Sequence, residues 1–277
     1  MSVSFARFSR GNMRRGIFMG LGSLLLLSSL VSAHEDTPVD WSNPVVWLVI
    51  TSILIIVMMC FIGLNRKFTS KHKKLIFWIV VAPVALSSLY LAGHTIYHNI
   101  FSVTKGPIHW HADFQIWNCG QQVDLIDPTG LSNKVGSPLL HEHNDNRIHV
   151  EGTVFKMSDI SISRFFQLVG GELTPNSLEV PTNKGIVSVK NGDLCDGKEG
   201  EVQVFVYKVT NGYKAQKNGF VIQQEKVQNY PDYVLSPYSN VPPGDCIIVE
   251  FGAEKEKTEH ICDTYQIALD EGRMSYG

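Results

Sequence analysis

Charge is scarce in this 277-residue chain: 18% of the residues are Asp, Glu, Lys or Arg, and the formal net charge is −2. Acidic residues are scarcer still in the first hundred positions, where three face nine Lys or Arg, a balance of +6. Residues 101–277 lack the opposite sign, with fifteen Lys or Arg against twenty-three Asp or Glu, a balance of −8. Without a cationic excess that part cannot neutralise phosphates, which excludes nucleic acid as its partner. The five cysteines contain no C-x-x-C spacing, the usual frame of a structural zinc site. No serine–histidine–acid or cysteine–histidine pair is legible, so a metal-free nucleophilic mechanism has no support. Long repeats and low-complexity tracts are also missing, and the length allows one or two ordinary domains.

What is present begins with targeting. Arg7, Arg10, Arg14 and Arg15 precede the apolar stretch Gly16 to Leu30, which ends in Val31-Ser32-Ala33. A basic flank, an apolar core and small residues at the end describe a signal peptide over 1–33, or an uncleaved signal anchor. Pro44 to Leu64 then gives twenty-one residues without charge, and Leu75 to Gly93 gives nineteen. Each is long enough for a bilayer, so transmembrane helices are expected over 44–64 and 75–98. The loop 65–74 carries five Lys or Arg in ten residues and belongs on the cytoplasmic side. Trp41, Trp47, Trp78, Tyr90 and Tyr97 lie near the span ends, and Pro83 should kink the second span. A wholly cytosolic, soluble protein is thereby excluded. The expectation is a multi-pass protein of the cell membrane with residues 101–277 outside the cytoplasm. Its implied partners are the lipid bilayer and other membrane proteins.

The expected fold is a transmembrane α-helical hairpin plus an α+β, mainly antiparallel-β, extracytoplasmic domain. Strand patterns run over Ile108 to Trp117, Ile148 to Phe155, Val202 to Val209, Gly219 to Gln223 and Cys246 to Phe251, with Asn118-Cys119-Gly120 as a hairpin turn into Gln121 to Leu125. Helices are expected over Asp159 to Val169 and Glu254 to Leu269, and a Pro-rich surface loop over Tyr230 to Gly244. Cys119, Cys195, Cys246 and Cys262 all fall in the outer part, where an oxidising compartment makes them two disulfides. Three pairings are open, and a zinc site of four thiolates is the competing arrangement.

Histidine carries the chemistry. Five of ten lie between positions 109 and 149, in two copies of H-x-H-x-D: His109-Trp110-His111-Ala112-Asp113 and His141-Glu142-His143-Asn144-Asp145. Alternate residues of a strand share a face, so each copy presents two imidazoles and a carboxylate together. Imidazole nitrogen suits Zn²⁺ or Cu²⁺ and suits Ca²⁺ or Mg²⁺ poorly. The candidate site is therefore His109, His111, His141, His143 and His149, holding zinc or copper. Asp145 or Asp113 would be a ligand or would accept an imidazole N–H. The alternative is a hydrogen-bonded network of these side chains without an ion, with Arg147 near Asp145 as a structural ion pair. Two lesser positions are His94 with His98, four apart on one helical face, and His34, which cleavage after Ala33 would make the amino terminus.

A signal, two spans and an outer β-rich domain resemble the layout of cytochrome oxidase subunit two, but the C-x-x-x-C pair of its dicopper site has no counterpart here. The H-x-H-x-D of His141 to Asp145 is similar to the opening of the metallo-β-lactamase motif, whose next histidine is Asn146 here. A closer resemblance spans roughly residues 105–268. It is to an uncharacterised family of membrane-anchored prokaryotic proteins, often archaeal, with an extracytoplasmic HxH…LHxHxxxxIH domain. It rests on Ile108-His109-Trp110-His111, Leu140-His141-Glu142-His143, Ile148-His149-Val150-Glu151, the segment Ser161 to Gly171 and Val241 to Cys246. The resemblance implies the architecture and carries no activity. Three functional readings follow: a metal-binding, delivery or sensing protein; a zinc-dependent hydrolase using Glu142 or Asp145; or an interaction module with structural histidines.

Overall fold

The computed structural model describes residues 44–65, 69–129, 133–211, 219–235 and 244–277. The expected signal segment 1–33, His34, Trp41 and much of the Pro-rich loop lie outside the described residues. Helix α1 (Pro44–Asn65) and helix α2 (Ser70–Phe101) contain the two uncharged stretches of the sequence, Pro44 to Leu64 and Leu75 to Gly93. Helix α2 runs for 32 residues, so Ser70 to Lys74, expected in the loop, form its first turn and extend it beyond the 75–98 span. No residue of α2 is buried, and Leu86, Leu89 and Phe101 are more than three-fifths exposed. Among the described residues α2 is the helix long and apolar enough to cross a membrane, whereas the apolar stretch in α1 is Val49–Met58. By length and composition the structure thus shows one candidate membrane helix, and a hairpin of two such helices is not shown. Pro83 stands inside α2 and removes one backbone donor, and Ser87 Oγ donates to the Pro83 carbonyl at 2.7 Å.

Five residues connect α2 to the first strand. Ser102 is buried, its hydroxyl accepts from Gly106 N–H at 3.1 Å, and Val103 N–H donates to the Val154 carbonyl at 2.9 Å. The ring of His98 meets Phe155 edge-on at 4.8 Å. The helix therefore enters the β-rich domain through a hydrogen-bonded corner, and the first histidine of the cluster follows within three residues of it.

Strands β1 (Pro107–Asn118), β2 (Gln121–Val123), β3 (Val135–Gly136), β4 (Leu140–Glu142) and β5 (Arg147–Thr153) open the domain. A three-stranded meander follows, β6 (Glu172–Thr174), β7 (Ser177–Thr182) and β8 (Gly185–Lys190), then a small hairpin of β9 (Leu194–Cys195) and β10 (Lys198–Glu199). Strands β11 (Glu201–Val209), β12 (Phe220–Lys226), β13 (Cys246–Gly252) and β14 (Met274–Tyr276) complete a main sheet ordered β14-β12-β11-β13-β1-β5-β4-β3, with β2 beside β1. Pairing is mainly antiparallel, as expected, but β1–β13 and β12–β14 are parallel. The central strand β13 is buried at all seven positions, which is why Cys-Ile-Ile-Val-Glu-Phe-Gly reads as a nearly continuous apolar run.

Both faces of the sheet are covered, unequally. On one, Ala112, Phe114, Ile148, Val150, Val204 and Val249 pack against helix α3 (Ile162–Leu168) and the meander. Ile162, Phe165, Phe166 and Val169 of that segment are buried, the face its spacing predicts. On the other face Phe205, Tyr207, Ile248 and Cys246 pack against helix α4 (Asp263–Asp270) through Tyr265 and Ala268. Helix α4 is half the length expected from Glu254 to Leu269. The buried Glu250 carboxylate draws in Lys255 Nζ at 2.5 Å and Thr258 Oγ1 at 2.9 Å, holding the chain in a loop until Cys262. The cysteines pair as Cys119–Cys195 and Cys246–Cys262, which settles the open pairing and removes the four-thiolate zinc site.

Candidate metal centre

Residues 109, 111, 113, 115 and 117 of β1 all point to the α4 face. Gln115 Nε2 donates to Asp263 at 3.0 Å, and Trp117 stacks on His260 at 3.6 Å. Toward the other end of the strand His109 is exposed and His111 is half-buried. Register brings the remaining histidines beside them. His111 lies directly across from His149 of β5, and His149 lies across from His141 of β4, so three adjacent strands each place an imidazole in one transverse row. His109 sits two residues along β1, and His143 follows β4 directly.

Two groups result, His109/His111/His149 and His141/His143/His149, each with one nitrogen per ring within 4.8 Å of the others. Either could hold a metal ion. His109 Nε2 and His111 Nε2 are 2.8 Å apart, and His141 Nε2 and His143 Nε2 are 3.1 Å apart. Two imidazole nitrogens bound to one ion at about 2.0–2.1 Å, at angles between square and tetrahedral, lie about 2.8–3.4 Å apart.

The surrounding hydrogen bonds fix the tautomers of the second group. His141 Nδ1 faces the Ser137 carbonyl at 3.1 Å, and His143 Nδ1 faces the Asn133 carbonyl. A carbonyl only accepts, so both Nδ1 atoms donate, and each neutral ring is left with its lone pair on Nε2. Two lone pairs therefore confront each other unless a cation stands between them. Burial pushes His141 below the usual histidine pKa, which disfavours a proton on that ring. His149 is likewise held down by burial, to about 4. Its Nε2 faces Asp145 Oδ2 at 3.4 Å, and its Nδ1 is buried without a hydrogen-bond partner. An imidazole held by a carboxylate on one nitrogen, with the other free, is the usual orientation of a metal ligand.

The turn joining β4 to β5 supports this geometry. Asn144 and Asn146 take left-handed backbone conformations, and the buried Glu142 carboxylate accepts from the N–H groups of Asp145 at 2.6 Å and Asn146 at 3.2 Å. Glu142 alternates with His141 and so leaves the cluster face. Burial raises its pKa, and its Oε1 is spent on the turn.

Of the expected site residues, His109, His111, His141, His143 and His149 converge, and Asp145 stands beside His149. Asp113 does not join them: its carboxylate takes Arg147 Nε at 2.7 Å and the Thr264 hydroxyl. The Arg147 ion pair exists, but with Asp113 rather than Asp145. The rings of His94 and His98 lie 3.9 Å apart, tilted by 37°, without a third ligand grouped with them among the described residues. One contributor was missed. Glu151 lies across from His109, with Oε1 at 3.2 Å from His109 Nε2 and Oε2 at 3.9 Å from His141 Nε2. Its signal was its place two residues after His149 on the same strand face. No protein-family model, curated protein or solved structure matches this chain.

Proposed function

We propose that this chain is a membrane-anchored protein whose outer domain binds a transition metal, Zn²⁺ or Cu²⁺, through His141, His143 and His149, and serves in metal binding, delivery or sensing at the cell surface. The observation that carries the reading is the confrontation of the His141 and His143 Nε2 lone pairs, each ring locked by a backbone carbonyl. Neutral nitrogen donors in a mostly buried pocket select a borderline-soft ion over Ca²⁺ or Mg²⁺. Two disulfides favour an oxidising compartment. The uncharged α1, the basic loop and α2 support a two-span anchor with residues 101–277 outside, preceded by a signal segment. The likeness to membrane-anchored prokaryotic proteins of the HxH…LHxHxxxxIH type belongs to the same reading, as do the lipid bilayer and neighbouring membrane proteins as partners.

The hydrolase reading is weaker. It needs a base beside an open metal position, and of the two bases it names, Glu142 is turned into the β4–β5 turn and Asp145 faces His149. The test is elemental analysis of the full chain in detergent, purified without a metal-affinity tag and dialysed at neutral pH. At least one equivalent of zinc or copper is expected, and the His141→Ala/His143→Ala double variant should lose that equivalent. A wild-type chain that holds no metal and takes up none on titration would make the cluster a structural network.

A further inference from the structure

The histidines form two pairs, and one carboxylate lies between them. Glu151 directs Oε1 toward His109 Nε2 at 3.2 Å and Oε2 toward His141 Nε2 at 3.9 Å. Each of those nitrogens is already within 2.8 or 3.1 Å of a second imidazole, His111 or His143. His149 stands in both three-membered groups, with its ring 4.6 Å from that of His111 and 4.8 Å from that of His143. We infer that the cluster is a two-metal centre. One ion sits on His141 and His143, the second on His109 and His111, and the Glu151 carboxylate bridges them with one oxygen to each. This deepens the metal reading above and rests on it.

The chemistry favours two ions over one. A single ion at the His141/His143 pair would leave His109 and His111 joined by one N–H···N hydrogen bond at 2.8 Å, with these two imidazoles and the Glu151 carboxylate unused on the open side of the cluster. A carboxylate spanning two divalent ions about 3.5–4 Å apart is a common element of paired metal sites, because its two oxygens offset charge on both. The two halves differ in access. His141 is 1% exposed at its side chain, whereas His109 is 60% exposed and Glu151 41%. The inner ion should therefore be held tightly, and the outer one should exchange with solvent and add second.

The full chain in detergent, loaded with Cu²⁺ and dialysed at neutral pH, provides the test. Two equivalents are expected, falling to one in Glu151→Gln and to one in His109→Ala/His111→Ala. Electron paramagnetic resonance of the wild type, which needs no variant to fold, should show copper coupled to copper with a half-field transition. One equivalent in the wild type, unchanged in both variants and lost in His141→Ala/His143→Ala, would overturn the two-ion centre and keep the single site. Two equivalents with isolated copper signals, or two retained in Glu151→Gln, would overturn the bridge. No copper at all would overturn the metal reading itself.

Discussion

Arg147 Nε donates to Asp113 Oδ1 at 2.7 Å across the β1–β5 pair, and Thr264 Oγ1 donates to the other oxygen of the same carboxylate. Asp113 therefore marks where two environments meet on one sheet face. Toward Trp117 the face is covered by α4, and toward His109 it carries the histidines. Asp113 is buried, and removing Arg147 would strand its charge. Arg147→Met should destabilise the metal-free protein by about 2–4 kcal/mol, read from a urea titration, since stranding one member of a buried pair is the costly change. Asp113→Ala should cost a similar amount, and a change below about 0.5 kcal/mol in both would show that the pair is idle. Metal content should survive in whatever fraction stays folded, because neither residue is a ligand.

Stability of the metal-free chain should depend on pH through His149. Its folded pKa, depressed to about 4 chiefly by burial, lies below the ordinary value of 6.5. Between those values the unfolded chain binds a proton that the folded chain refuses, so stability falls as pH falls from 6.5 toward 4 and is fully present above 6.5. Lowered values at His141 and His111 act in the same direction. Thermal melts in chelator should show a melting temperature that drops through this window, with a shallower slope in His149→Gln. Equal slopes would mean that the burial of His149 does not set its protonation. Metal release should follow the same direction, because protons compete for the same nitrogens.

The disulfides should differ in worth. Cys119–Cys195 closes 76 residues and Cys246–Cys262 closes 16. Chain entropy alone gives about 4.5 and about 3 kcal/mol. The double serine variant of the first pair should thus lose more in a urea titration than that of the second. The reverse order would show that the buried Cys246–Cys262 contact with α4 matters more than loop closure.

Much of this arrangement was legible because its signals were local. The alternation of His109, His111 and Asp113 against Ile108, Trp110 and Ala112 gave the strand and its faces. Small turn residues at Asn118-Cys119-Gly120 gave the first hairpin. The meander β6–β8 was missed because Pro181 interrupts the alternation of Leu178 and Val180. Helix α4 was overextended because Glu254 to Glu259 looks helical in isolation, while its path is set by the buried Glu250, far from it in pattern. Long-range choices were not readable either: that Asp113 takes Arg147, that β1 pairs in parallel with β13, and that Glu151 faces two histidines all depend on register.

Register at the cluster itself hangs on Gly136. It has φ of 116°, a conformation side chains other than hydrogen rarely take, and a Cβ there would stand 2.5 Å from the Leu140 carbonyl oxygen and 3.0 Å from His141 Cα. Only glycine lets β3 lie this close to β4. Ser137 follows it directly, and its carbonyl is the acceptor that fixes the His141 tautomer. Gly136→Ala should therefore push β3 away from β4, cost about 1–3 kcal/mol in stability, and weaken that acceptor. Metal affinity should fall more than tenfold while both disulfides still form, as isothermal titration with Zn²⁺ or Cu²⁺ and a thiol count would show. If affinity stays at the wild-type level while stability drops, the tautomer of His141 is set by the metal and not by the Ser137 carbonyl.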